Sequence, residues 1–192
     1  HGPLADLQGL DVGKTRIFLP DGGEIRSSTA AAASKDGGKE SFLVTDETHL
    51  YVLPELKRMY RTTRRNLTKR RIAQPWGLDT TTMFEPGQGS VAEEAYDYHA
   101  KLNESGARDP GFLFDHIGSP PIREWDDDDE IRAGLVYAYG DAAGWVDIDR
   151  IIREQFRGDG NHPYEAARYY LNQVRGDPDI GMIALDEWDA MT

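Results

Sequence analysis

Cysteine is absent from the 192 residues. Without it there is no disulfide, no thiolate metal ligand and no cysteine nucleophile, and the chain suits a reducing compartment. Long apolar runs are also missing: nothing approaches the roughly 18 to 20 consecutive apolar residues that span a bilayer. A mean hydropathy of −0.63 and 29% charged residues set the expectation of a soluble protein that does not enter a membrane. The opening residues His1 to Asp6 have neither the basic start nor the apolar run of a secretory leader, and no methionine precedes them. The chain is therefore expected to begin inside a longer protein. Positive charge is in deficit, 22 Lys and Arg against 34 Asp and Glu, a net −12. Such a molecule is no polycation, so any nucleic-acid binding has to come from a local patch.

What is present reads as α/β, with room for one domain or two small ones. Asp21-Gly22-Gly23 between the β-prone runs 15–20 and 24–28 predicts a hairpin. Small residues from Thr29 to Ser34 and a polar loop from Lys35 to Gly38 lead to the apolar run 41–45, which suits a buried strand of a parallel sheet. From Leu50 to about Arg71 the period is helical, with Leu53, Leu56, Met59, Tyr60 and Leu67 on one stripe, Pro54 near its start and Gln74-Pro75 ending it. A second strand is expected over 76–83. After the loop 85–89, the capping box Ser90-Val91-Ala92-Glu93 opens a helix carrying Val91, Ala95, Tyr98 and Leu102 on one side. The polar, Gly- and Pro-containing stretch 103–110 marks a boundary, which divides the chain into 1–107 and 108–192. Beyond it a strand over 111–115, a turn at 118–121 and short helices over 145–156, 162–175 and 184–191 are expected, a small mainly helical subdomain.

The most informative segment is Phe42-Leu43-Val44-Thr45-Asp46-Glu47-Thr48-His49. An apolar strand delivers two adjacent acids to the carboxyl edge of a sheet, where open α/β proteins bind ligands. Nucleotide hydrolysis needs one carboxylate to hold Mg²⁺, through water, and another to orient or deprotonate the attacking water. Asp46 suits the first task and Glu47 the second; the plainer alternative is that two acids simply favour a helix start. About 33 residues on, the second strand ends in Thr80-Thr81-Thr82. Hydroxyls beside the acids both donate and accept hydrogen bonds as charge shifts, although threonine also favours strands for its shape alone.

Gly9-Leu10-Asp11-Val12-Gly13-Lys14-Thr15 imitates a phosphate-binding loop but has three residues between its glycines where that motif has four. It also lacks a preceding strand and a following helix. No phosphate cradle is therefore read in this chain. Lys57, Arg58, Arg61, Arg64, Arg65, Lys69, Arg70 and Arg71 fall in a fifteen-residue window free of acids. Such a face could grip DNA phosphates or reach a neighbouring subunit's nucleotide, or could be a solvated helix face with cations near its C-terminus. The acids 126–130 read as a solvated loop or a helix start, and His49, His99, His116 and His162 are scattered without metal spacing.

Several of these segments resemble one family. Lys35 to Phe42 and Asp46-Glu47-Thr48-His49-Leu50 resemble the Walker B region of the large terminase subunits of actinobacterial phages and prophages. Arg65 to Arg70, Thr80 to Met83, Glu85 to Glu93, Gly144 to Asp147 and Arg168 to Gln173 follow in that family's order. The resemblance implies the second half of a P-loop NTPase (RecA-like) ATPase domain over 1–107 and a connector toward a nuclease over 108–192. It implies ATP and Mg²⁺ as cofactors, Asp46 as the metal-binding acid, Glu47 as the catalytic one and Thr80, Thr81 and Thr82 as the coupling motif. By the same token the partners are viral double-stranded DNA, the portal protein, the small terminase subunit and further copies in a ring, in the host cytoplasm. Alternatives are a DExH-type helicase ATPase, which Asp46-Glu47-Thr48-His49 also fits, and a non-enzymatic prophage remnant.

Overall fold

The computed structural model describes residues 9–20, 22–28, 37–69, 71–158 and 163–175. The expected helix over 184–191, and Lys35, Asp36, Arg70 and His162, lie outside them. Strands β1 (Asp11–Val12), β2 (Arg16–Phe18) and β3 (Glu24–Arg26) form a small antiparallel sheet in that order. Ile17 faces Ile25 across the expected hairpin, and Lys14-Thr15 lie in the connection between β1 and β2, with no helix after them.

β4 (Phe42–Asp46) and β5 (Trp76–Thr80) pair in parallel, from Phe42 opposite Trp76 to Asp46 opposite Thr80, and helix α1 (Pro54–Leu67) connects them. Pro54 fits the first turn because the amide hydrogen it lacks would have no helical acceptor there. The sequence expectation extended the second strand to residue 83, but pairing stops at Thr80, where β4 runs out. Alternation turns Leu43, Thr45, Gly77 and Asp79 toward α1 and leaves the other face open. There Phe42, Val44, Trp76 and Leu78 are 46%, 53%, 58% and 43% exposed, so the strand expected to be buried is buried on one side only.

Ser90 caps helix α2 (Val91–Ser105), its hydroxyl accepting the Glu93 amide at 3.1 Å, an interaction worth about 1 kcal/mol. The Glu93 carboxylate does not return to Ser90 as the capping-box pattern would have it; it accepts the amides of Gly87 and Gly89, fastening the 85–89 loop to the helix. Gly106, at φ 66°, ends α2 in a left-handed turn.

Residues 111–115 form no strand, contrary to the sequence expectation. With no neighbouring strand to pair with, they lay alternate rings against α2: Phe112 on Tyr98, Phe114 on Tyr96 and His99, and His116 on Tyr96. The acidic run is a helix start: Asp127 caps α3 (Asp128–Tyr139) by accepting the amides of Asp129 and Glu130, and the acids of the first turn lie at the positive end of its dipole. The helix expected over 145–156 begins at α4 (Ile148–Ile151) and continues as a π-helical turn over Ile152–Phe156; α5 (Pro163–Tyr170) follows. Ile131, Leu135, Ile152, Phe156 and Leu171 form the main core, while Met83, Phe84 and Ala92 form a smaller one under α2. At Gly134 a Cβ would lie 3.0 Å from Ile122 and 3.2 Å from Leu171, so glycine lets α3 approach them.

Candidate functional site

The parallel register places Asp46 and Thr80 side by side at the carboxyl end of the two strands. The Thr80 hydroxyl donates to Asp46 Oδ1 at 2.6 Å, and the Glu47 amide donates to the same oxygen at 3.1 Å. Both acids are exposed at the edge of the sheet. Glu47 has φ 54° and ψ 47°, a left-handed conformation that costs a non-glycine residue about 1–2 kcal/mol. Such strain persists only where surrounding contacts hold it.

One of those contacts is His49, in the 3₁₀ turn Thr48–Leu50. Its Nδ1 lies 3.1 Å from Glu47 Oε2 and 2.9 Å from Thr81 Oγ1, and its backbone amide donates to Thr81 Oγ1 at 3.0 Å. Thr81 in turn donates to the Thr82 carbonyl at 2.8 Å, and Thr82 Oγ1 stands 3.4 Å from Nδ1. Burial lowers the pKa of the imidazole from its ordinary value; the Glu47 carboxylate pulls it upward and the Arg168 guanidinium pushes it down. The ring meets Tyr169 of α5 edge-on at 5.7 Å. The sequence left His49 unassigned, although its place in Asp46-Glu47-Thr48-His49 was the available signal.

The basic helix divides into committed and open cations. Arg64 donates to Asp79 Oδ2 at 2.8 Å and to the Tyr60 hydroxyl at 3.0 Å, while Tyr60 donates to the same Asp79 oxygen at 2.7 Å. Burial, aided by the Asp79 charge and opposed by the Arg64 hydrogen bond, pushes the Tyr60 phenol up to about 12. The Arg64 guanidinium lies where a side chain on residue 77 would have to be, so Gly77 makes room for it. Lys57 and Arg61 reach Glu94 of α2 at 2.7 and 3.2 Å. Arg65 bonds Thr62, and Lys69 bonds Asn66. Arg58, Arg65, Lys69 and Arg71 are exposed. Arg64, grouped in the sequence reading with cations that could contact DNA or a neighbouring subunit's nucleotide, here brackets α1 to β5 through Asp79.

Magnesium keeps much of its water and takes one or two carboxylates together with phosphate oxygens. Asp46 fits such a donor set: its Oδ1 is held by Thr80 and Glu47, and among the described residues no donor is bonded to Oδ2. Among the described residues no group of three or more His, Asp or Glu side chains could enclose an ion, so a cation here would be held largely by water and nucleotide. No described helix is long and apolar enough to cross a membrane.

Comparison with known proteins gives bacteriophage relatives. The chain is 29% identical to the Gene 13 protein of Mycobacterium phage L5 over 201 aligned residues, covering 94% of this chain and 33% of that protein. It is also 29% identical to the Gene 13 protein of Mycobacterium phage D29, with the same coverage. The chain thus spans about a third of the length of these relatives. No protein-family profile and no solved structure matches it.

Proposed function

We propose that the chain is a piece of the large subunit of a tailed-phage terminase, the ATP-driven motor that packages double-stranded DNA into procapsids and cuts it. The observation that carries this reading is the pair of adjacent acids at the end of β4, with Asp46 bonded at 2.6 Å to Thr80 at the end of the parallel neighbour β5. In this reading Asp46 holds hydrated Mg²⁺, Glu47 orients the attacking water and Thr80 to Thr82 sense the hydrolysis state. When bound, Mg²⁺ supplies charge stabilisation to the phosphates of ATP. Residues 1–107 are the second half of the ATPase domain and 108–192 the connector. The phosphate-binding loop and the nuclease belong to other parts of the polypeptide. Arg58, Arg65, Lys69 and Arg71 are the cations on α1 and just after it best placed to meet DNA or a neighbouring subunit's nucleotide. Viral DNA, portal protein, small subunit and a ring of like subunits are the partners, in the host cytoplasm. Bacteriophage relatives along 94% of the chain support the reading.

Mg²⁺-dependent ATP hydrolysis by the full-length gene product tests it. Glu47→Gln is expected to lower kcat by about 10²- to 10⁴-fold while nucleotide still binds. Wild-type turnover in that variant overturns the assignment. The 192-residue chain alone should hydrolyse ATP poorly, because backbone donors and a lysine around the phosphates carry much of the stabilisation. A DExH-type helicase is the second reading, favoured by the bond from His49 to the hydroxyl segment. Duplex unwinding by the full-length protein selects the helicase; DNA cleavage selects the terminase.

A further inference from the structure

We propose that His49 is a positioning residue that ties the Glu47 carboxylate to the Thr81 hydroxyl, so that the last residue of β5 and the one after it govern both acids at the end of β4. The inference rests on the ATPase reading above and adds a part to it. The contacts around Thr81 point to one direction. With its single proton turned to the Thr82 carbonyl, 2.8 Å away, Thr81 Oγ1 accepts from His49. Its lone pairs take the His49 amide at 3.0 Å and Nδ1 at 2.9 Å. In the tautomer this linkage requires, Nδ1 carries the ring proton and donates to Thr81 Oγ1, with Glu47 Oε2 lying 3.1 Å from the same nitrogen. The ring's other nitrogen, Nε2, is buried and has no hydrogen-bond partner among the described residues, a smaller cost for a lone pair than for an N–H.

Each acid thus answers to its own threonine. Asp46 is bonded directly to Thr80, and Glu47 is reached from Thr81 through the imidazole. Thr80 and Thr81 are consecutive, so one displacement of the backbone at the end of β5 moves both carboxylates. Glu47 is held in a left-handed conformation, so releasing His49 frees the catalytic side chain to leave its position. The edge contact with Tyr169, together with Arg168 and its 3.6 Å ion pair to Glu85, seats the same imidazole against α5. The linkage thus also contacts α5 at the strand ends.

The test uses the full-length gene product carrying His49→Ala, His49→Asn, His49→Gln and Thr81→Val. Asparagine places a side-chain N–H near the position of Nδ1 and glutamine near that of Nε2. His49→Ala and Thr81→Val should each lower kcat for ATP hydrolysis on the order of 10- to 100-fold, with KM for MgATP nearly unchanged. The double variant should be no worse than the poorer single one, since both break the same linkage. His49→Asn should restore much of the rate and His49→Gln should not. Additive losses, equal rescue by glutamine, or a change confined to KM overturns the proposal. Should the alanine variant fail to fold, Thr81→Val and ¹⁵N spectroscopy of histidine-labelled wild-type protein still decide: an Nε2–H tautomer at His49 overturns the linkage. A wild-type protein that hydrolyses no nucleotide overturns the ATPase reading itself, and with it any positioning role. The tautomer is read without turnover, so the two failures are distinguishable.

Discussion

The two halves of the chain are stabilised in different ways. Residues 122–171 bury a continuous set of aliphatic side chains, among them Ile131, Leu135 and Leu171 with no measurable exposure. The β4–α1–β5 unit buries little and is held by polar contacts: Arg64 with Asp79 and Tyr60, Thr80 with Asp46, and His49 with Thr81. Its open face leaves Phe42, Val44, Trp76 and Leu78 in solvent. Dispersion and burial hold the helical half without regard to fine geometry. The strand half depends on hydrogen bonds of fixed length and direction, which is the kind of support a site needs when two carboxylates must stay in place.

The largest effect expected from this contrast is Leu135→Ala, with a stability loss of about 2–5 kcal/mol. By comparison Val44→Ala, on the open face, should cost less than about 1 kcal/mol. Urea denaturation of both variants measures the gap, and equal losses would mean that the open face is covered after all. Gly77→Ala comes next. Its new methyl group occupies the space of the Arg64 guanidinium, and displacing that bracket should cost about 1–3 kcal/mol. A neutral Gly77→Ala would make the polar support of β5 plastic. The last test is a titration. The Tyr60 phenol is raised to about 12, so the folded state holds that proton more tightly than the unfolded chain, where tyrosine titrates near about 10. Its contribution to stability is complete below the unfolded value and is lost as pH rises toward 12. Ultraviolet difference titration against Tyr60→Phe should show one late-titrating phenol missing from the variant.

Local chemistry announced much of this structure. Pro54 and the apolar stripe placed α1, Ser90 and Glu93 placed the start of α2, and Asp21-Gly22-Gly23 placed the hairpin. Two elements were misjudged for different reasons. The apolar run Phe112-Leu113-Phe114 reads as a strand, but with no strand beside it Phe112 and Phe114 pack on α2. Helix α3 was read only as one alternative for its acidic first turn, because its buried stripe, Ile131, Gly134 and Leu135, is short. The candidate acids and threonines were legible because each type is restricted by its chemistry. Their partners were not: nothing near Arg64 in sequence names Asp79, and nothing near His49 names Thr81.

By itself, then, the sequence determined which residues are candidates for chemistry at the end of β4 and the elements that carry them. Those are local properties, set by hydroxyls, carboxylates, periodicity and caps within a few residues of one another. The tertiary structure alone decided that Asp46 meets Thr80, that His49 stands between Glu47 and Thr81, and that Arg64 serves as a bracket. Each of those contacts joins residues 15 to 34 positions apart or runs through a third side chain. Parallel pairing brings such residues together only after the crossover helix has closed over the sheet.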